Sequence, residues 1–545
     1  MAATGLEYNQ LPLLALVRRA CQESSPSAYA APANLVTYTG AIAAAALKAE
    51  NYFDRIRVFE RRETAGGTWI HDPDPGPVAP VEPGKLPSEL DVHVDIPRNL
   101  PTTTAPDRTN RWATTPVYDS LSTNVPNIAM TFSDALLPYG PFAPHYIARQ
   151  YVENYFALHQ TDTLLQTNTT VEDLATSPLS RHNGRGEWKL TLRKHDAARQ
   201  VDEWWEEFYD AVILANGHYA VPYVPRVKGL GPYIEKYPGR ISHSKRYRNP
   251  KLYAGRRVLI IGNSVSGREL SEELVGVAKG SVYLSRRSPA LWEGDEPPPG
   301  IEWKPVVSEY REDGIILFAD GTALADVDAV IYCTGYKPSF PFWNEEANGG
   351  PLFDYRSNRL VGCYQHVFFR DFPTLGVVGF PRTLTFRSFE YQAIALARLW
   401  SGRNARPLPS PRQQQQWEAE RAERTEAQNK YFHDVPWGAE TNEYLRELFN
   451  LAGLTTLAGD GLLPPPLTRK MVWEYENVLK WKIPKGKGPH GGNDGLEEDT
   501  SMHAQLNPPA ADQVIKTRET RAEEKKGWVI VDKAKVVKFK NTAQL

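Results

Sequence analysis

The chain is predicted to be an α/β protein built from two nested Rossmann-like dinucleotide-binding domains, and three observations predict it. Four apolar runs that end in short turns read as buried parallel strands: IRVFE (56–60), AVILANG (211–217), RVLIIG (257–262) and AVIYCTG (329–335). Helical patterns follow at 41–49, 267–278 and 389–399. At 545 residues, the chain is also too long for a single small core. The turns fall at C-terminal strand ends, the edge of an open α/β sheet where nucleotides bind.

The 257–262 strand leads into Gly262, Asn263, Ser264, Ser266 and Gly267, and then into the helical RELSEEL. Gly262 permits the tight turn, the small Ser264 lets pyrophosphate approach the backbone, and Gly267 allows close packing of helix on strand. Backbone N–H groups of the helix then meet the phosphate. The next strand ends in Ser285, Arg286 and Arg287, where an acid would bind a ribose 2′-hydroxyl. Guanidinium groups suit a 2′-phosphate, so NADPH is expected over NADH, with a solvated arginine pair as the other reading.

The first unit differs. About twenty residues after Gly40 stand Glu60 and Arg61, at the spacing where an acid bonds the ribose of an adenine dinucleotide. An acid here and arginines there indicate two different nucleotides, FAD first and NADPH second. The two earlier glycines expected in the first loop are replaced by Leu35 and Thr37. A β-carbon at Thr37 occupies the point of closest pyrophosphate approach and weakens flavin binding. Two readings stay open: an error in assembling the N-terminal coding sequence, which the intact residues from Gly40 onward favour, or a degenerate site.

The Gly-x-x-x-His-x-x-x-Tyr element in YPGRISHSKRY, Tyr237 to Tyr247, stands just before the second loop and resembles the identifying motif of the flavin-containing monooxygenases. Gly66, Gly67, Thr68 and Trp69 resemble that family's Gly-Gly-x-Trp segment, and PVYDSLSTNVPNIAMTFSD (116–134) is similar to its Tyr-x-x-Leu-x-Thr-Asn-x-Pro stretch. Further matches are LANG (214–217), DAVIYCTGY (328–336), PTLGVVGFP (373–381), and Glu390 and Gln392 in FEYQAIALARLWSGR, so the resemblance runs from Gly40 to Leu454. It implies an N,N-dimethylaniline monooxygenase-like enzyme in which NADPH reduces FAD. Oxygen then gives a C4a-hydroperoxyflavin, shielded by retained NADP+, and an amine nitrogen or thioether sulfur takes one oxygen atom. Thr123 and Asn124 would lie beside the flavin and nicotinamide. The Asn124 amide can donate a hydrogen bond to a peroxide without supplying an acidic proton. His243 is expected to position loops and cofactor instead of acting as a base. A Baeyer–Villiger monooxygenase and an inactive NADP-binding protein are the alternatives; the former usually has Trp where Tyr247 stands and Pro or Asp where Arg248 stands.

Composition limits the partners. The net charge of -2, from 63 basic and 65 acidic side chains, gives no electrostatic reason for a nucleic-acid partner. Cys21, Cys333 and Cys363 are scattered, which argues against a zinc site or redox dithiol, and no metal is expected. The longest apolar runs fall far short of the roughly 20 residues that span a bilayer, and Arg18 and Arg19 follow the first run, the wrong order for a secretory signal. A cytoplasmic protein acting on O2 and a small-molecule substrate is expected, its oligomeric state open. The expected organisation is an atypical 1–33, a first FAD-binding part over 34–225, an NADPH-binding domain over 226–325, a second FAD-binding part with C-terminal helices over 326–483, and a flexible 484–545 containing a β-prone 528–540. Prolines crowd 72–116, which is expected to run over the surface without regular structure.

Overall fold

The computed structural model describes the backbone of 14–19 and 31–34, and residues 38–484 except 77–79, 108–111, 178–187, 291, 382–384, 404, 436–438, 454–458 and 467. Leu35, Thr37, Cys21 and the tail from 485 onward, including 528–540, lie outside the described residues.

All four apolar runs form strands, at Phe53–Phe59, Ala211–Leu214, Val258–Ile261 and Ala329–Tyr332. In the first sheet, Ala31–Asn34 lies parallel to both Phe53–Phe59 and Ala211–Leu214. Leu375–Val377 continues the parallel order beside Ala211–Leu214. The Tyr38–Ala49 helix follows and is buried from Tyr38 to Leu47. Its alanines combine the strongest helix preference with the smallest side chains, so the sheet and the Thr385–Ser401 helix pack closely on it.

The second sheet is wholly parallel, in the order Ile241–His243, Ala329–Tyr332, Val258–Ile261, Val282–Ser285 and Ile301–Lys304. Burial on both faces explains why such strands read as unbroken apolar runs. The boundary expected at 325/326 is therefore corrected: Ala329–Tyr332 closes this sheet between the Ile241–His243 and Val258–Ile261 strands. The chain crosses between sheets at Val221–Pro222 and returns at Tyr336–Lys337, and these two crossings pair antiparallel.

The proline-dense stretch is also corrected. It contains the Pro87–Leu90 helix, with proline at its first position, and the Thr102–Thr104 strand, flanked by Pro101 and not interrupted. That strand joins Val201–Tyr209, Trp188–Asp196 and Thr169–Thr176 in an antiparallel sheet. The Pro411–Ala427 helix, opened by a Ser410–Gln413 capping box, and the Ala439–Ala452 helix pack on the core. No helix among the described residues is long and apolar enough to cross a membrane.

Gly262 has φ 100° and an added β-carbon would stand 2.7 Å from the carbonyl oxygen of Cys333. One at Gly267 would run into the carbonyl oxygen of Gly262, whereas Gly231, in the Leu230–Lys236 helix, faces open space. Gly267→Ala is expected to cost roughly 1–3 kcal/mol in urea unfolding, and Gly231→Ala to be neutral or slightly stabilising.

Candidate functional site

The second loop stands at the carboxyl edge of the parallel sheet. Gly262, Asn263, Ser264 and Ser266 are partly exposed, and no side chain caps the first turn of the Val265–Leu274 helix. Its leading N–H groups are thus presented to an anion. Gly262 and Gly267 let the turn pack directly against the carbonyls of Cys333 and Gly262, and the uncapped helix end beside them is the feature that fits a pyrophosphate. Beyond the neighbouring strand, the three expected residues separate in role. The Ser285 hydroxyl is buried and donates to the carbonyl of Pro305. The Arg286 guanidinium lies 3.4 Å from the Trp303 ring centroid and pairs with Glu293 at 2.6 Å. Arg287 is exposed. Asn263 is drawn into the same network, donating to Glu293 at 2.9 Å.

On the first sheet, Gly40 is buried in the first turn of the Tyr38–Ala49 helix, and Glu60 is wholly buried just past the Phe53–Phe59 strand. One Glu60 oxygen accepts from the Arg62 N–H at 2.7 Å. Arg61 is half-buried. Gly66 has φ 131° and Gly67 φ 50°, and a β-carbon on Gly66 would stand 2.9 Å from Cγ of Arg149. Glycine is required there because the turn packs against the His145–Leu158 helix. Thr68 and Trp69 are buried behind it. These residues fit the adenosine end of a flavin dinucleotide: an acid at the ribose position, and glycines that bring the backbone close.

Asn124 is half-buried in a loop that both sheets hold. On one side, Thr123 is fully buried; its N–H donates to Ala143 at 2.8 Å and its hydroxyl accepts from the Ala143 N–H at 3.0 Å. That hydroxyl fixes the loop. Farther along, the Ser133 N–H donates to Glu390 at 3.0 Å, anchoring the segment to the Thr385–Ser401 helix. On the other side, Tyr118 donates to Glu269 and Ser120 to Glu273, both on the Val265–Leu274 helix. Burial pushes the Glu269 carboxyl up to about 7, although Lys480 opposes the shift. Gln392 accepts from the Gly379 N–H at the edge of the first sheet.

The Tyr237–Tyr247 motif supplies the edge strand of the second sheet. His243 is buried, its Nε2 donates to the carbonyl of Gly335 at 3.0 Å, and its Nδ1 accepts from the Lys245 N–H at 3.1 Å. Desolvation lowers its pKa to about 3. With both nitrogens engaged and the ring neutral, it has the geometry of a positioning residue. Two neighbours complete the joint: Lys245, which sequence reasoning passed over, and Arg248, which it weighed only as a motif position. Lys245 is buried and its ammonium donates to the carbonyl of Ala220 at 2.5 Å; burial holds its pKa well below the usual lysine range. Arg248 donates to the carbonyls of Asp72, Thr115, Lys245 and Tyr247. A basic run in a surface-like sequence gives no sign that its cations face inward.

A model of the flavin-binding monooxygenase-like family matches residues 108–292 and 299–459, more than half of the chain. Flavin-containing monooxygenase FMO GS-OX5 of Arabidopsis thaliana is 30% identical over 383 residues, covering 68% of this chain and 73% of the relative. Among solved structures, S-allyl-L-cysteine S-oxygenase from Allium sativum superposes with a TM-score of 0.64 at 24% identity, covering 88% of this chain and 98% of its own. Tmm from Pelagibacter sp. strain HTCC7211 does so with a TM-score of 0.59 at 18% identity, covering 81% and 88%. Both share the two-sheet architecture.

Because the fold holds His243 neutral, its contribution to stability is present above its ordinary value of 6.5 and is lost as pH falls toward about 3. Melting temperature is expected to drop across that interval, and His243→Gln to remove roughly one proton's worth of the slope. His145, lowered to about 4 by burial, retains part of it. An unchanged slope in the variant would contradict the assignment.

Proposed function

The chain belongs to the flavin-binding monooxygenase-like family, and from that premise we propose that it inserts one oxygen atom from O2 into an amine nitrogen or a thioether sulfur. Its cofactors are FAD and NADPH. Bound FAD, reduced by NADPH, supplies the oxygen activation; the protein supplies orientation and a site from which water is excluded. In this reading Glu60 and the Gly66–Trp69 turn hold the flavin. Gly262–Gly267 hold the nicotinamide dinucleotide, Arg287 binds its 2′-phosphate, and Arg286 stiffens the Arg287 loop. The FAD-binding unit comprises 34–225 and the return from Tyr336 to 483, with the NADPH unit between.

The observation that carries the reading is the tethering of the Asn124 segment to the second nucleotide helix through Tyr118–Glu269 and Ser120–Glu273. This supports a reading in which hydride donor and reaction centre share one cleft. Asn124 can donate its amide N–H to a reacting oxygen while withholding an acidic proton.

The end of the motif favours nitrogen or sulfur over a ketone substrate. The Tyr247 hydroxyl donates to Glu273 at 2.6 Å, and its ring stacks on Tyr253 with centroids 5.7 Å apart. The indole of the Baeyer–Villiger pattern lacks that hydroxyl, and Pro or Asp in place of Arg248 would abolish the four carbonyl contacts. Incubating the protein with NADPH, a thioether and a cyclic ketone together is expected to give sulfoxide without lactone. Lactone without sulfoxide would overturn the choice of substrate class.

A further inference from the structure

Past the Arg469–Asn477 helix, the chain runs over the seam between the Asn124 loop and the second nucleotide helix. Lys480 donates to the Ser122 hydroxyl at 2.8 Å and to Glu269 at 2.5 Å, with Ser122 two residues before Asn124 and Glu269 two residues after Gly267. The pair is substantially buried, 20% exposed at Lys480 and 9% at Glu269. Trp481 lies against Trp292, ring centroids 5.1 Å apart, and the Arg268 guanidinium stands 5.2 Å from the Trp481 ring. Arg268 also donates to the carbonyl of Trp292 at 3.3 Å, and Trp292 precedes the Glu293 that holds Arg286 and Asn263.

The Glu269 and Arg268 contacts fall on the helix assigned above to the nicotinamide dinucleotide, the Trp292 contact falls beside the Glu293 that holds Arg286 and Asn263, and the Ser122 contact falls on the Asn124 loop. A peripheral tail making only surface contacts would not need a buried ammonium, since a nearly buried carboxylate left without its partner is strongly destabilising. The indole pair closes the same seam with apolar surface, beside the helix end that would receive the pyrophosphate.

We propose that residues 478–484 are a strap that closes over the second nucleotide site and retains NADP+, with Lys480 as the positioning residue that latches it to Ser122 and Glu269. The proposal rests on the reading that the Gly262–Gly267 loop binds NADP(H). Lys480 touches neither substrate nor reacting atoms; it acts by holding the Asn124 loop and the helix at a fixed separation. Release of the dinucleotide then requires Lys480 to leave both partners and the Trp481–Trp292 contact to open.

The test uses the full chain and NADP+ itself. Stopped-flow tryptophan fluorescence should show NADP+ leaving Lys480→Met about tenfold faster than wild type, with Lys480→Arg close to wild type. Equal release from Lys480→Met and wild type would overturn the strap while leaving the nucleotide assignment intact. Wild-type protein that binds no NADP+ would remove the assignment and the strap together. An independent measurement needs no variant: tryptic cleavage after Lys480 and Lys482, followed by mass spectrometry, is expected to slow at saturating NADP+. Cleavage at the same rate with and without NADP+ would contradict closure.

Discussion

Two carboxyl edges on separate sheets can share one cleft only if the chain crossings between the sheets are rigid, and that constraint governs the rest of the molecule. The crossings are zipped to each other by the Val221–Pro222 and Tyr336–Lys337 pairing. Just beyond the second sheet, the carbonyl of Gly335 accepts from both the Tyr223 N–H and Nε2 of His243. A neutral imidazole suits this place because it donates from one nitrogen and accepts at the other without bringing a charge into the interior. Arg248 extends the joint by donating to carbonyls of both the motif and the proline-dense stretch. Charge-assisted bonds of this kind are worth about 1.5–3 kcal/mol each, and carbonyls left without them pay the desolvation penalty.

With the crossings fixed, the Asn124 segment can serve as a bridge. One end is tied through Ser133 to Glu390, on the helix behind the first sheet, and the other through Tyr118 and Ser120 to the helix of the second. A shift of either sheet would therefore displace Asn124. The raised pKa of Glu269 reflects the cost of burying that bridge, a carboxylate taken out of water and partly compensated by Lys480.

Much of this was legible in the linear sequence where burial acts on both sides of an element. The runs at 257–262 and 329–335 read as parallel strands because solvent touches neither face, and the glycines of the second loop read correctly because a β-carbon there meets backbone. The Val201–Tyr209 strand escaped notice because VDEWWEEFY carries acids on its outward face, as a half-solvated antiparallel strand allows. Arg286 looked like a phosphate ligand equal to Arg287; its commitment to Trp303 and Glu293 depends on tertiary neighbours. Lys480 was beyond local reading altogether, since its partners lie 358 and 211 residues away. The Ala31–Asn34 strand lies parallel between Phe53–Phe59 and Ala211–Leu214, while Leu35 and Thr37, which stand where glycine is expected, lie outside the described residues.

The most direct measurement is the visible absorbance of the purified full-length protein during anaerobic titration with NADPH. A shared cleft predicts flavin bands that bleach on stoichiometric addition of NADPH, and at lower concentration than with NADH. A colourless protein, or a bound flavin that NADPH fails to bleach, would contradict the account.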